Sequence, residues 1–284
     1  MNERPFRIAG KDKKPRVSFI TVNYRTPYFI RNLLRGVEEI RPGFDFEYIL
    51  VDNASGDGTP EMVREQFPWA TVIASPENLG FGGGNNLGLK AARGEYVLLC
   101  NPDLVLLEGE LESWLDWMDT HPDVGISCPR VVNPDGSDQH ATYRFPKAFT
   151  PLYRRSFIGR LPFARRELDR YLMEDMNRDV EQDVDWVFGA AMLIRRELLE
   201  RIGLFDERFF VYFEDADLCR RVWESGSRVC YTPIARVIHY HKRESRTRYP
   251  WQAFTNPLTR THLKSGMKYF MKYRGKTHPR DVST

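Results

Sequence analysis

The sequence predicts an α/β fold with a mostly parallel central sheet flanked by helices. Three observations carry that prediction. Short apolar runs alternate with amphipathic segments from Val17 to Cys100. The runs are continuously apolar, as strands buried on both faces require. Each run ends in residues that start turns or cap helices.

Residues 1–15 are polar and basic and read as a disordered lead-in. Val17–Val22 is the first expected strand. Thr26-Pro27 then supplies an N-cap and an N1 proline, with Ile30, Leu33, Leu34 and Val37 at helical spacing. Tyr48–Val51 is the second strand and ends at Asp52-Asn53. A glycine-bearing loop follows, and Thr59-Pro60 opens another helix. Thr71–Ala74 is a short third strand. The run Asn78-Leu79-Gly80-Phe81-Gly82-Gly83-Gly84-Asn85-Asn86 leads into a helix to about Arg93, and Glu95–Cys100 is the fourth strand.

Beyond Asp103 the regularity weakens. Leu111–Met118 has helical spacing, and Val124–Val132 reads as a strand closed by the turn Asn133-Pro134-Asp135-Gly136. Residues 144–182 lack a clear period and are expected to form a long, partly mobile insertion. Order returns over Val184–Ile194, with a helix from Arg196. A further helix runs through Leu218, Val222 and Trp223 to Gly226. Arg228–Tyr231 and Arg236–Tyr240 read as two short strands. In the tail, Leu263, Met267, Phe270 and Met271 lie on one side of an expected helix, with Lys264, Lys268 and Lys272 on another. Docking on the core is the favoured reading of that helix; an interfacial position on anionic lipid is the alternative.

The 284 residues are 42% apolar and 29% charged, which fits a globular chain with a real core. A net charge of +3 does not demand nucleic acid as a partner. The four cysteines show neither CxxC nor zinc spacing and read as reduced core residues. No apolar run approaches the ~20 residues that span a bilayer. The N-terminal residues lack the apolar stretch of a signal peptide. The expected location is the cytoplasm. The basic, aromatic tail fits peripheral contact with the inner face of the plasma membrane, and equally a contact between two copies of the chain.

Chemistry concentrates at the strand ends. Pro102 forces the chain out of the strand Tyr96–Cys100, so Asp103 stands at the carboxyl edge of the sheet, where open α/β sheets bind ligands. Asp52-Asn53 ends the second strand in the same way and suits ribose or base groups. The glycines at 80–84 follow the third strand rather than the first, so they are no dinucleotide fingerprint. A second acidic station, Glu214-Asp215-Ala216-Asp217, follows the aromatic run Phe209–Phe213. Aromatic neighbours exclude water and raise a carboxylate's proton affinity, as a general base needs. His239 and His241 share one face of a strand and are candidates for a metal ligand. The basic residues that follow, Lys242, Arg243 and Arg246, suit a diphosphate. A metal–phosphate site facing a general base is the expected arrangement.

The order of six segments carries a family resemblance. They are Val17-Ser18-Phe19-Ile20-Thr21-Val22-Asn23-Tyr24, Val51-Asp52-Asn53-Ala54-Ser55-Gly56-Asp57-Gly58-Thr59, Asn78-Leu79-Gly80-Phe81-Gly82, Asn101-Pro102-Asp103, Asp185-Trp186-Val187-Phe188-Gly189-Ala190 and Phe213-Glu214-Asp215-Ala216-Asp217-Leu218. The chain resembles the inverting family-2 glycosyltransferases of the GT-A fold, and within them the rhamnosyltransferase-like enzymes of bacterial polysaccharide assembly. The resemblance implies one domain over 16–245. Its nucleotide-binding half is 16–104, its acceptor-side half is 105–245, and 246–284 form a helical extension. It implies a nucleotide-diphosphate sugar donor (dTDP- or UDP-linked), a saccharide or lipid-linked acceptor, and Mg²⁺ or Mn²⁺ as cofactor. Thr21, Asn23, Asp52, Asn53, Asn78, Gly80, Phe81 and Asn101 would form the nucleotide side. Asp103, the last position of the family's DxD motif, would bind the metal with His239. Asn101 stands where the first aspartate is usual. Asp215 matches the catalytic base, and Trp186, Gly189 and Glu214 would lie by the acceptor. A nucleotidyltransferase and a non-catalytic nucleotide-sugar-binding subunit are the alternatives. The first lacks its glycine-rich basic loop here, where Asn23-Tyr24-Arg25-Thr26-Pro27 stands instead.

Overall fold

A computed structural model of the chain describes residues 4–240 and 257–282. Four strands build the N-terminal half: β1 (Val17–Asn23), β2 (Phe46–Asp52), β3 (Thr71–Ala74) and β4 (Tyr96–Cys100). They pair in parallel in the order β3-β2-β1-β4, with Asn23 beside Asp52 in the register. Parallel strands need crossovers. These are α1 (Pro27–Ile40), α2 (Thr59–Gln66) and α3 (Gly80–Ala91). Ile30, Leu33, Leu34 and Val37 form the buried face of α1. All four carboxyl ends therefore meet one edge of the sheet.

The second half reverses direction. Its strands are β5 (Leu104–Leu106), β6 (Val124–Val132), β7 (Thr142–Tyr143), β8 (Gln182–Asp183), β9 (Trp186–Val187), β10 (Ala191–Arg195) and β11 (Arg228–His239). The sheet continues β4-β10-β6-β11-β5, with β10 antiparallel to both β4 and β6, and β11 parallel to β6. The expected parallel arrangement thus holds for the N-terminal half, while the sheet as a whole is mixed. The two short strands expected near the C-terminus are one strand, β11, interrupted by a bulge between Tyr231 and Arg236. Pro233 lies inside that bulge, where the missing amide donor breaks no ladder bond.

The remaining helices are α4 (Glu110–Thr120), α5 (Thr150–Arg155), α6 (Pro162–Tyr171), α7 (Arg196–Ile202), α8 (Glu214–Glu224) and α9 (Pro257–Lys272). Three sequence expectations need correction. Residues 4–15 are not a disordered lead-in, because Ile8 bridges Phe46 and the Ala9 amide donates to the Phe46 carbonyl at 2.8 Å. Residues 144–182 are not an unstructured insertion, because α5, a 3₁₀ turn at Phe157–Arg160 and α6 form a helical hairpin there. Their short, proline-started turns hide the helical period. The terminal helix docks, as favoured, but through another face. Thr259, His262, Ser265, Gly266 and Tyr269 are buried, whereas Met267 and Met271 are exposed. The small residues Ser265 and Gly266 let α9 approach Phe213 closely, and that contact sets the face. His241, Lys242, Arg243 and Arg246 lie outside the described residues. No helix among those described is long and apolar enough to cross a membrane.

The core lies on both sides of the sheet. Trp114 of α4 is 1% exposed and its indole N–H donates to Ser127 Oγ of β6 at 2.8 Å. Trp114→Ala removes a large buried ring and the indole donor to Ser127 Oγ, whose own proton still reaches Met118 Sδ. A loss of about 3–5 kcal/mol is expected, read as a lower urea midpoint with an unchanged m-value.

Candidate active site

The first acid station forms because Pro102 ends β4 and β5 returns along β11. The pairing sets Leu104 opposite His239, so Asp103 lies beside that ring. Asp103 Oδ1 is 3.1 Å from His239 Nε2, and the Asp103 carbonyl accepts the Tyr240 amide at 3.0 Å. His239 is 1% exposed, against 22% for the Asp103 side chain. Gln139 orients the ring. Its amide donates to the His239 carbonyl at 2.7 Å, which turns its oxygen toward Nδ1 at 3.0 Å. An Nδ1–H donated to Gln139 leaves Nε2 facing the carboxylate. Two oxygen and nitrogen donors in that relation suit a shared cation.

The second station opens α8. Tyr212 and Phe213 both hold left-handed backbone conformations, φ 71° and 73°, immediately before Glu214. Non-glycine residues there carry strain, and packing must hold them. The packing comes from α9. Ser265 Oγ donates to the Val211 carbonyl at 3.0 Å, and Lys268 Nζ donates to the Arg208 carbonyl at 2.7 Å. Asp217 is fully buried and anchored by Arg221 Nε at 2.9 Å, Tyr273 OH at 2.8 Å and Lys272 Nζ at 2.5 Å. Glu214 and Asp215 are buried beside the aromatic run. Asp215 Oδ1 accepts the Ala216 amide at 2.8 Å, and Oδ2 lies 3.4 Å from the Gly189 amide. Burial pushes the Asp215 carboxyl up to about 6, against the lowering pull of those amides and of the Arg154 guanidinium. Glu214 is pushed well above the carboxylate range, first by burial and then by the charge of Asp215. Its Oε2 has no hydrogen-bond partner.

Backbone contacts bring the two stations to one sheet edge. The Asn101 amide donates to the Ala190 carbonyl at 2.8 Å, and Cys100 pairs with Ala191. Gly189, the next residue back, reaches Asp215. Phe188 stands between, its ring centroid 6.2 Å from that of His239. The glycine loop completes the rim. The Phe81 amide donates to the Phe210 carbonyl at 2.9 Å, and the Phe81 ring lies against Gly189 and Phe205.

The expected nucleotide side divides into three groups. Thr21 is fully buried and its hydroxyl is paired with Tyr48 OH at 2.6 Å, so it has no surface to offer a nucleoside. Its side chain lies on the same face of the sheet as Tyr48 of β2, back from the strand end. Asn23, Asp52 and Asn53 are buried at the edge and shape its loops. Asn23 Nδ2 donates to Asp52 Oδ1 at 2.7 Å and to Ser55 Oγ at 2.9 Å. Asn53 donates to Asn78 Oδ1 and the Gly80 carbonyl, both at 2.9 Å, and accepts the Leu79 amide. Asn78, Phe81 and Asn101 are half-buried and do reach the surface of the edge. Trp186 is buried, stacked on Tyr143 with centroids 4.4 Å apart. Sequence reasoning missed Gln139, Arg154 and Lys272. Each lies far along the chain from the group it serves, and no local pattern marks it.

A model of the family described as Glycosyl transferase family 2 matches residues 18–203. The chain belongs to glycosyltransferase family 2. An N-acetylglucosaminyl-diphospho-decaprenol L-rhamnosyltransferase of Mycobacterium tuberculosis is 32% identical over 216 residues, covering 71% of this chain and 68% of its own. The rhamnosyltransferase WbbL of Escherichia coli is 27% identical over 204 residues, 69% of this chain and 71% of its own. Among solved structures, GalNAc-T7 with UDP, GalNAc and Mn²⁺ superposes with a TM-score of 0.64 at 13% identity, over 93% of this chain and 49% of that one. The Pyrobaculum calidifontis mannosyltransferase PcManGT, in complex with GDP-Man and Mn²⁺, gives 0.56 at 20% identity, over 98% and 81%. These neighbours share the GT-A fold with this glycosyltransferase.

Gly80 tests the join between the halves. Its φ is +73°, and an added Cβ would lie 1.9 Å from the Phe210 carbonyl oxygen. Gly80→Ala is expected to cost about 1–3 kcal/mol. It should also lower transfer activity by displacing Phe81. Gly82→Ala, whose nearest contact is 3.3 Å, should be milder in both respects. Urea unfolding and kcat of the two variants, measured together, check this.

Proposed function

We propose that this glycosyltransferase moves a sugar, rhamnose by similarity to its relatives, from a dTDP- or UDP-linked donor onto a lipid-linked saccharide, with inversion. The observation that carries the reading is Asp215, a buried carboxylate with raised proton affinity at the sheet edge that also bears Asp103. Asp215 Oδ2, the less tightly held oxygen, accepts the proton of an acceptor hydroxyl. The acceptor oxygen forms its bond to the anomeric carbon as the bond from that carbon to the diphosphate oxygen breaks. Attack from the face opposite the leaving group inverts the centre. The electron pair leaves with the diphosphate.

The donor set fits a divalent cation. Asp103 Oδ1 and His239 Nε2 are 3.1 Å apart. Neighbouring corners of an octahedron with bonds of about 2.1 Å are about 3.0 Å apart. Among the described residues no third histidine, cysteine or carboxylate joins them. The remaining positions would fall to water and donor phosphate oxygens, the usual habit of Mg²⁺ and Mn²⁺. Asp103 and His239 would hold the ion, and Gln139 would fix the ring behind it. When bound, the ion supplies positive charge for the leaving diphosphate. Asn101 in place of an aspartate keeps the edge less negative, which favours a doubly charged diphosphate on approach.

Asp215→Asn should lower kcat by about 10²–10⁴. In the wild type, kcat should climb about tenfold per pH unit below pH 6 and level off above it, because only the ionised carboxylate accepts a proton. The stability effect has the opposite sign. A raised folded-state pKa contributes stability that is lost as pH rises through about 6. Asparagine does not titrate, so the variant should melt no lower than wild type at pH 8. Full activity of Asp215→Asn would remove the base from the mechanism. In a thermal-shift titration, UDP or dTDP at a hundred times its Kd should add about 2.7 kcal/mol. Most of that gain should require Mn²⁺ or Mg²⁺ and vanish in Asp103→Ala. A metal-independent gain would refute the assigned ligands.

A further inference from the structure

The hairpin formed by α5, the 3₁₀ turn and α6 carries an outer surface that transfer chemistry does not use. Phe149, Leu152, Phe157, Leu161 and Phe163 are 40–65% exposed. Among the described residues they are five of fourteen exposed large apolar side chains, gathered into a short stretch of chain. Exposed Phe and Leu are uncommon when clustered, and clusters mark contact surfaces. The same segment is strongly basic. Arg144 to Tyr171 holds eight arginine or lysine residues and two carboxylates, an excess larger than the +3 of the whole chain. Both carboxylates face basic partners: Glu167 meets Lys147 and Arg170, and Asp169 meets Arg165. Lys147, Arg160 and Arg166 are exposed in the same stretch of chain as the apolar residues.

We propose that this hairpin seats the protein on an anionic lipid bilayer, with the five apolar side chains entering the headgroup boundary and the arginines facing lipid phosphates. Apolar residues flanked by arginine and lysine have the composition of interfacial anchors. A second copy of the chain is disfavoured by charge. A two-fold interface would set this basic surface against itself. The inner side of the hairpin meets the acceptor half of the site. The Arg154 guanidinium lies 5.5 Å from the ring centroids of Tyr143 and Tyr171, Tyr143 stacks on Trp186, and the Arg154 charge reaches Asp215. Pro151 of α5 also borders Gly266 of α9, which holds the loop before Asp215. One element therefore faces lipid on one side and the acceptor side of the base on the other. Its purpose rests on the reading of a lipid-linked acceptor, but the seating itself is tested without transfer.

The full chain is sedimented with vesicles of phosphatidylcholine alone, or mixed with an equal part of phosphatidylglycerol, at low and high salt. Binding to the anionic vesicles that weakens with salt is expected. Phe157→Asp with Phe163→Asp, and separately Arg160→Glu with Arg166→Glu, should each weaken it about tenfold or more. Melting temperature and donor hydrolysis should stay at wild-type values in both. Met267→Ser with Met271→Ser, on the exposed side of α9, should bind as wild type. The proposal falls if wild type ignores anionic vesicles, if the hairpin variants bind normally, or if only the methionine pair loses binding. A dimer in solution that the Phe157→Asp pair dissociates, without vesicle binding, would also overturn it. Loss of transfer with vesicle binding intact would count against the proposed acceptor and not against the seating.

Discussion

The amide of Phe81 donates to the carbonyl of Phe210, and the geometry of the site depends on that junction. The bond ties the start of α3, in the N-terminal half, to the loop that delivers Asp215. Gly80 makes it attainable, since any side chain there would meet the Phe210 oxygen. The ring of Phe81 then packs on Gly189, whose amide faces Asp215. The backbone at Tyr212 and Phe213 is strained, and α9 holds it from the opposite side through Ser265, Gly266 and Lys268. Strain at one loop is offset by packing drawn from two distant parts of the chain.

Environment, not residue type, assigns the acids their tasks. Asp103 is partly exposed and meets a histidine, which suits a site for a cation and a diphosphate. Asp215 is buried beside the aromatic run with only backbone amides on its oxygens, so its proton affinity rises. Asp217, two residues on, is surrounded by Arg221, Lys272 and Tyr273 and serves as an anchor for α9. Removing one of those partners would leave a buried charge incompletely compensated, which is why the tail and the acid station behave as one unit. Asp185, just before β9, shows another such environment, where His278, the Phe145 amide and Arg280 hold its carboxyl below the usual range despite burial.

The sequence by itself determined the N-terminal half of the sheet, the edge at which its strands end, and the two acid stations. Continuous apolar runs, turn residues and a proline after β4 are local signals, and local signals survive without tertiary information. Only the tertiary structure decided which polar side chains at the edge look outward. Thr21 and Asn23 lie on the same strand and read alike, yet one is bonded between strands to Tyr48 and the other holds the loops at Asp52 and Ser55. It also decided which face of α9 is buried. Hydrophobic spacing favoured Met267 and Met271, but the close fit of Ser265 and Gly266 against the 211–213 loop won, since small residues permit a contact that methionines would prevent. Gln139 and His239 are a hundred residues apart and meet only because β11 and the 133–139 turn share one end of the sheet. Contacts between residues that distant depend on register and packing, and neither is written in the spacing of neighbouring residues.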